Sequence, residues 1–198
     1  MYLPFETFET APRRTSISVR QIVAPACAMA LALLGTGCAT KYVPRVPPGV
    51  TTLKAVETKR LEGTWYEIAR LNHRAERGLT RATVTFKSLP MNKWQVVHRA
   101  WRNESGAWEE TAFRAKSPEG VLHPGTMRGR FTSLFPSDIH VVAMDKTYQS
   151  AIICGTNQHE LWILSRAQNP SHESILGMLN EARSKGFPIE EALFLQFQ

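Results

Sequence analysis

The chain has 198 residues, 43% of them hydrophobic and 21% charged, which supplies one folded domain with a sizeable core and excludes a disordered chain. Its net charge of +7 is spread over single Lys and Arg residues, with no dense basic run and no nucleic-acid motif, so a nucleic-acid partner is not expected. The excess reads instead as a mixed solvated surface that tolerates anionic headgroups.

From the N-terminus, residues 22–34 read IVAPACAMALALL, preceded by Arg20 and followed by small residues. That is the layout of a secretory signal peptide. The run is short for a membrane span, and Pro25 interrupts it. The exit, Leu33-Leu34-Gly35-Thr36-Gly37-Cys38, resembles the lipobox of bacterial lipoproteins. The resemblance implies that residues 1–37 are removed and that Cys38 is acylated as the mature N-terminus. Plain cleavage nearby is the alternative, and a translation start near Val19 is a second. Each buried methylene of an acyl chain adds roughly 0.8 kcal/mol of membrane affinity. Residues 38–56 contain Pro44, Pro47, Pro48 and Gly49, which rule out a helix and predict an extended tether.

From Leu61 onward, short apolar-rich segments alternate with turn residues, the pattern of an all-β domain. Strands are predicted at 64–71, 80–88, 93–102, 107–116, 125–133, 138–145, 150–155 and 160–166. Turns fall at Pro90-Met91-Asn92, Asn103-Glu104-Ser105-Gly106, Ser117-Pro118-Glu119-Gly120 and Gly155-Thr156-Asn157. Such a meander closes on itself to remove exposed edges. A helix opens at Asn169-Pro170-Ser171, places Ile175, Leu176, Leu179 and Ala182 on one face, and ends at Lys185-Gly186. A last strand runs from Ala192 to Phe197. The expected fold is an eight-stranded antiparallel up-and-down β-barrel with the helix packed outside it.

Candidate reactive groups do not assemble into a known catalytic pattern. Ser165, His73, His98 and Cys154 show no nucleophile–base spacing. His123, His140, His159 and His172 show no shared metal-ligand spacing, so neither a metal nor a cofactor is expected. Cys154 lies among apolar residues and reads as a buried thiol, with a disulfide to Cys38 as the alternative. An enzyme using an inward-facing Cys154, a haem carrier and a barrel packed solid for partner contacts stand as rivals to a ligand carrier.

Gly63-Thr64-Trp65-Tyr66 opens the first strand; Asn72-His73-Arg74 and Glu76-Arg77-Gly78-Leu79 follow it. Asp145-Lys146-Thr147-Tyr148 and Leu161-Trp162-Ile163-Leu164-Ser165-Arg166 come later in the same order. Over residues 57–198 this series resembles the three signatures of the lipocalin family, and most of all its bacterial outer-membrane lipoproteins. The resemblance implies a non-enzymatic carrier of a fatty acid such as palmitate, or of a lysophospholipid, anchored to the periplasmic face of the outer membrane. A homodimer is compatible with it.

The resemblance further implies that Arg166 packs over Trp65 at the closed end of the barrel, beside Gly63, with Asp145 and Tyr148 capping that end. A guanidinium over an indole adds about 0.5–2 kcal/mol. Strand alternation then predicts which side chains face the interior. From Arg166 they are Leu164, Trp162 and Glu160; from Trp65 they are Glu67, Ala69 and Leu71; and Ile139, Val141 and Ala143 share a face with Asp145. Trp162 is the foremost candidate for ligand contact, with core packing as its alternative. His73 and Arg74 lie in the loop over the open mouth, where they would meet a headgroup or simply be solvated.

Overall fold

The computed structural model describes residues 42–53, 56–118, 125–130 and 137–195. The expected signal segment, Cys38 and His123 lie outside the described residues. Among those described, nine strands follow in chain order. They are β1 (Gly63–Leu71), β2 (Leu79–Leu89), β3 (Lys93–Arg102), β4 (Ala107–Lys116), β5 (Thr126–Gly129), β6 (Ser137–Met144), β7 (Ser150–Cys154), β8 (Leu161–Ser165) and β9 (Ala192–Phe194). Each pairs antiparallel with the next through β8, and β1 pairs with both β8 and β2, so the sheet closes into an eight-stranded barrel. β9 adds to the end of β1, with Ala69 opposite Phe194.

The helix α1 (His172–Ser184) starts where Ser171 accepts the Ser174 N–H and ends in a glycine turn in which Phe187 N–H donates to the Ala182 carbonyl. Met178, Leu179 and Ala182 are buried, with Ile175 packed beside them. Leu176, expected on this face, is 45% exposed. One residue past Ile175 is a rotation of about 100°, which carries Leu176 off the 175/178/179/182 stripe.

Two apolar layers result. Outside the barrel, Met178, Leu179 and Ala182 of α1, with Val50, Phe187 and Ile189, form one cluster with Ala69, Leu71, Val142, Ile152, Cys154, Leu161 and Ile163. Inside it, Trp65, Phe86, Val96, Met127, Val141, Ile153 and Leu164 form a second cluster.

Three register slips decide which residues fall in which layer; one, between Thr80 and Thr83 of β2, puts Leu79 on the same face as Val84 and Phe86. In β1 the register against β8 slips between Glu67 and Ala69, and in β6 the register against β7 slips between Val141 and Ala143. An extra residue reverses the in–out alternation beyond it. The expected inward placement of Ala69 and Leu71 is therefore corrected: both lie outside, under α1, and Arg70 points inward instead. Ala143 likewise packs on the outer layer, not on the face of Ile139 and Val141.

The segment after Lys41 is extended, as its prolines require, but it is not a free spacer. The Tyr42 hydroxyl donates to Asp138, Arg45 N–H donates to the same carboxylate at 2.9 Å, and the Arg45 carbonyl lies 2.9 Å from His140 Nε2. Burial and the Asp138 charge push the Tyr42 pKa up to about 12. Val50 is buried with the outer layer, and Leu53 N–H donates to the Val141 carbonyl. The predicted tether therefore docks on the barrel from Tyr42 onward.

Candidate ligand-binding site

One end of the barrel is closed by side chains. Trp65 is fully buried, its indole N–H donates to the Leu61 carbonyl at 2.8 Å, and the Arg166 guanidinium carbon stands 3.8 Å from its ring centroid. Arg166 also donates to the carbonyls of Thr64, Arg60 and Glu62. Gly63 has φ +94°, and a Cβ there would lie 3.1 Å from the Arg166 Nη1. Glycine is thus required both by the backbone and by the approach of the guanidinium.

Asp145 and Tyr148 order the adjoining β6–β7 turn. The Asp145 carboxylate accepts from the N–H groups of Thr147, Gln149 and Ser150. Burial alone would raise its pKa, but the Thr147 hydroxyl, which also donates to it, and these backbone donors outweigh burial and hold the carboxyl below its ordinary value. The Arg60 guanidinium carbon lies 3.7 Å from the Tyr148 ring centroid.

Above this floor the barrel holds a cavity of about 330 Å³. Strand register gives it a polarity along its axis. Nearest the closed end it is lined by Phe86, Val96 and Phe113; the next layer holds Val84, His98 and Thr111; the far end holds Leu79, Arg102 and Glu109. Glu67, Ile139, Trp162 and Leu164 line it as alternation predicts. Val141 belongs to the inner cluster but not to the cavity wall.

Three other candidates fall elsewhere. Glu160 does not face the cavity, because it precedes β8 and its carboxylate accepts the Thr156 N–H at 2.9 Å in the β7–β8 turn. Arg74 is exposed in a short 3-10 turn after β1. His73 is turned inward, edge-on to Trp162 with ring centroids 5.0 Å apart.

A buried charge cluster completes the site. Arg70, 2% exposed, donates to Glu67 at 2.8 Å and to the carbonyls of Glu76 and Leu79 at 2.7 Å. The Trp162 indole N–H donates to both oxygens of Glu76, at 3.1 and 3.2 Å. His98 Nε2 stands 3.6 Å from Glu67 and 3.9 Å from Glu76, and His73 Nε2 stands 3.4 Å from Glu76. Burial alone would lower the His98 pKa; the facing carboxylates outweigh it and raise it. Burial alone would raise the Glu76 pKa; His73, His98 and Arg70 outweigh it and lower it.

Arg70, Glu76 and His98 were not singled out as cavity residues in the sequence. One signal was available. Glu67 and Arg70 are three apart in an otherwise apolar strand, so unbroken alternation would bury one charge on each face without a partner. Only a bulge brings both to the same side. Glu67, Glu76 and His98 offer ligand atoms within 4.8 Å of one another, the spacing of a cation site. Arg70 already places a positive charge on those carboxylates.

Cys154 faces the opposite way, in the layer under α1. Burial, with the Glu160 charge adding to it, pushes its thiol up to about 12.

Comparison with known proteins agrees with this architecture. Residues 56–195 match a family described as the lipocalin-like domain. The chain is 33% identical over 153 residues to the outer membrane lipoprotein Blc of Escherichia coli K12, covering 77% of this chain and 86% of that protein. It is 31% identical to the outer membrane lipoprotein Blc of Citrobacter freundii, covering 89% and 97%. In fold it resembles the cockroach allergen Per a 4, with a TM-score of 0.60 at 16% identity, covering 77% of this chain and 95% of that one. Insecticyanin from the tobacco hornworm gives a TM-score of 0.60 at 18% identity, covering 79% and 88%. A closed eight-stranded barrel, an outer helix, a tryptophan clasped by arginine at one end and these relatives together make the chain a member of the lipocalin family, similar to the bacterial outer-membrane lipoproteins within it.

Proposed function

We propose that this protein binds a lipid, a fatty acid or lysophospholipid, in its barrel and stores or carries it at the bacterial outer membrane, in the service of envelope maintenance. The observation that carries the reading is the cavity of about 330 Å³ with an apolar floor and a polar upper half. That volume falls at the lower end of the roughly 300–1,000 Å³ range of small-molecule sites. An acyl chain gains about 25 cal/mol per Å² removed from water, so the floor needs few specific contacts to hold it. Glu67, Ile139, Trp162 and Leu164 are the proposed contacts.

The outer-membrane names of the relatives support an envelope location. Acylation of Cys38 would anchor the protein on the periplasmic face. The reading is of a carrier, not an enzyme: a thiol with a pKa of about 12, facing α1, is a poor nucleophile at neutral pH.

The test is native mass spectrometry with lipid extraction on protein purified from its own envelope, followed by displacement of a fluorescent fatty acid. A diacylglycerol-modified Cys38 and a co-purifying single-chain lipid are expected. Protein that neither retains a lipid nor binds the probe overturns the carrier reading.

A further inference from the structure

We propose that the Glu67–Glu76–His98 face of the cavity is a subsite for a monovalent organic ammonium, and that the ligand's polar end is cationic rather than a free carboxylate. The inference rests on the cavity being an amphiphile site and names the head that site selects.

Two carboxylates, Glu67 and Glu76, face one guanidinium, Arg70. Arg102 and Glu109, at the far end, pair with each other at 2.8 Å and cancel. With the imidazoles uncharged, the cluster carries one net negative charge. Glu67 is 1% exposed and Glu76 9%, and a buried charge without a counter-charge is costly. The cluster therefore favours one more positive charge.

The geometry leaves a place for it. His98 Nε2 and His73 Nε2 are buried beside the carboxylates without a hydrogen-bond partner among the described residues, and the His73 side chain is only 10% exposed; the Arg70 Nε–H is a donor and offers a cation nothing. Both Glu67 and Glu76 are among the residues that line the cavity, with Trp162, His73 and His98 around the Glu76 carboxylate. The occupant is set by the size of the deficit. A divalent metal would overshoot it by one unit beside Arg70, whereas a single ammonium closes it. Trp162 lines the same cavity and touches Glu76, and an aromatic ring beside carboxylates is what alkylammonium groups recognise. A carboxylate head would meet two like charges.

A proton on His98 competes for the same deficit. From β1 it faces Glu67 and Arg70, from the loop after β1 it faces Glu76, which His73 also approaches, and from β2 and β4 its partners are the uncharged Val84 and Thr111. An ammonium guest displaces that proton, so its affinity rises with pH. A carboxylate guest retains it, so its affinity falls with pH.

The experiment compares four probes of one dodecyl chain on the folded protein: the trimethylammonium, the alcohol, the carboxylate and the phosphocholine. Each is titrated by displacement of a neutral polarity-sensitive dye at about pH 8.5 and about pH 5.5, on either side of the ordinary imidazole range. At the higher pH the trimethylammonium or the phosphocholine is expected to bind at least tenfold tighter than the alcohol, about 1.4 kcal/mol, and the carboxylate weaker than the alcohol. The tighter of the two ammonium-bearing probes, one cationic and one zwitterionic, tells whether the ammonium belongs to a free amphiphile or to a phospholipid head. At the lower pH the gap between cation and carboxylate is expected to narrow several-fold. Glu67→Gln should bring the cation-to-alcohol ratio near one, and His98→Gln should remove the pH dependence of the ratio. A carboxylate that matches or beats both ammonium-bearing probes at the higher pH in the native protein overturns the proposal. If no probe of any charge binds, it is the carrier reading that fails.

Discussion

Glu67 and Arg70 stand three residues apart on β1, a separation that puts side chains on opposite faces of a regular strand, yet they meet at 2.8 Å inside the barrel. The bulge between Glu67 and Ala69 makes the meeting possible. It also turns Ala69 and Leu71 outward beneath α1. One inserted residue thus builds the polar half of the cavity and the seat of the helix together.

Arg70 is accordingly predicted to hold the cluster. Arg70→Met strips two buried carboxylates of their guanidinium and should cost about 3–5 kcal/mol. Glu67→Gln in the same chain removes one of the stranded charges and should recover a substantial part of that loss. Urea unfolding of the two single variants, the double variant and the parent gives the coupling. An Arg70→Met protein as stable as the parent would show that the carboxylates do not depend on it.

The strand order was legible in the sequence because it rests on signals of period two and on turn residues, whereas the closed end came from the family resemblance. Trp65 and Arg166 lie about a hundred residues apart and still meet as the family resemblance implies. What could not be read from alternation was the bulge, because a register slip is set by the partner strand. Alternation therefore puts Ala69 and Leu71 of β1 and Ala143 of β6 on the wrong face. Glu160 failed for a different reason, since it sits in the turn before β8, where alternation has not begun.

The closed end should respond to both members of its clasp and to the glycine beside them. Arg166 donates to three carbonyls and covers Trp65. Lysine cannot fork between those carbonyls, and Arg166→Lys should cost about 1–3 kcal/mol. Gly63→Ala forces a side chain into φ +94° and against the guanidinium, at a cost of about 1–2 kcal/mol. Because both changes act on one contact, the double variant should lose less than the sum of the two, as chemical denaturation would reveal. Strict additivity would mean that Gly63 serves the backbone alone.

Stability should depend on pH through the cluster, with a sign fixed by each shift. His98 is raised above its ordinary 6.5. The stability from its protonated form is complete below that unfolded value and is lost as pH climbs through the higher folded one. Glu76 is held below its ordinary 4.5, so its contribution is complete above that value and fades as acid carries pH down through the folded one. The urea midpoint of the ligand-free protein is expected to be highest between these limits. In His98→Gln the decline on the alkaline side should flatten while the acid side persists. An unchanged alkaline decline in that variant would assign it to another group.

The two layers of the barrel should separate binding from stability. Leu71 and Trp162 face opposite ways: Leu71 packs under α1, while Trp162 lines the cavity and donates to Glu76. Leu71→Ala should cost about 2–4 kcal/mol through the void it leaves in the outer layer. Because that void lies outside the barrel wall, the affinity for a fluorescent fatty acid, measured well below the unfolding midpoint, should move less than twofold, under about 0.5 kcal/mol. Trp162→Ala removes an aromatic wall from the cavity and the donor that orients Glu76, and should weaken the same probe by tenfold or more, about 1.4 kcal/mol. Had β1 run without a bulge, the ranking would reverse for Leu71, because its side chain would then be part of the ligand's wall. Equal losses of affinity in the two variants would contradict the placement of the bulge.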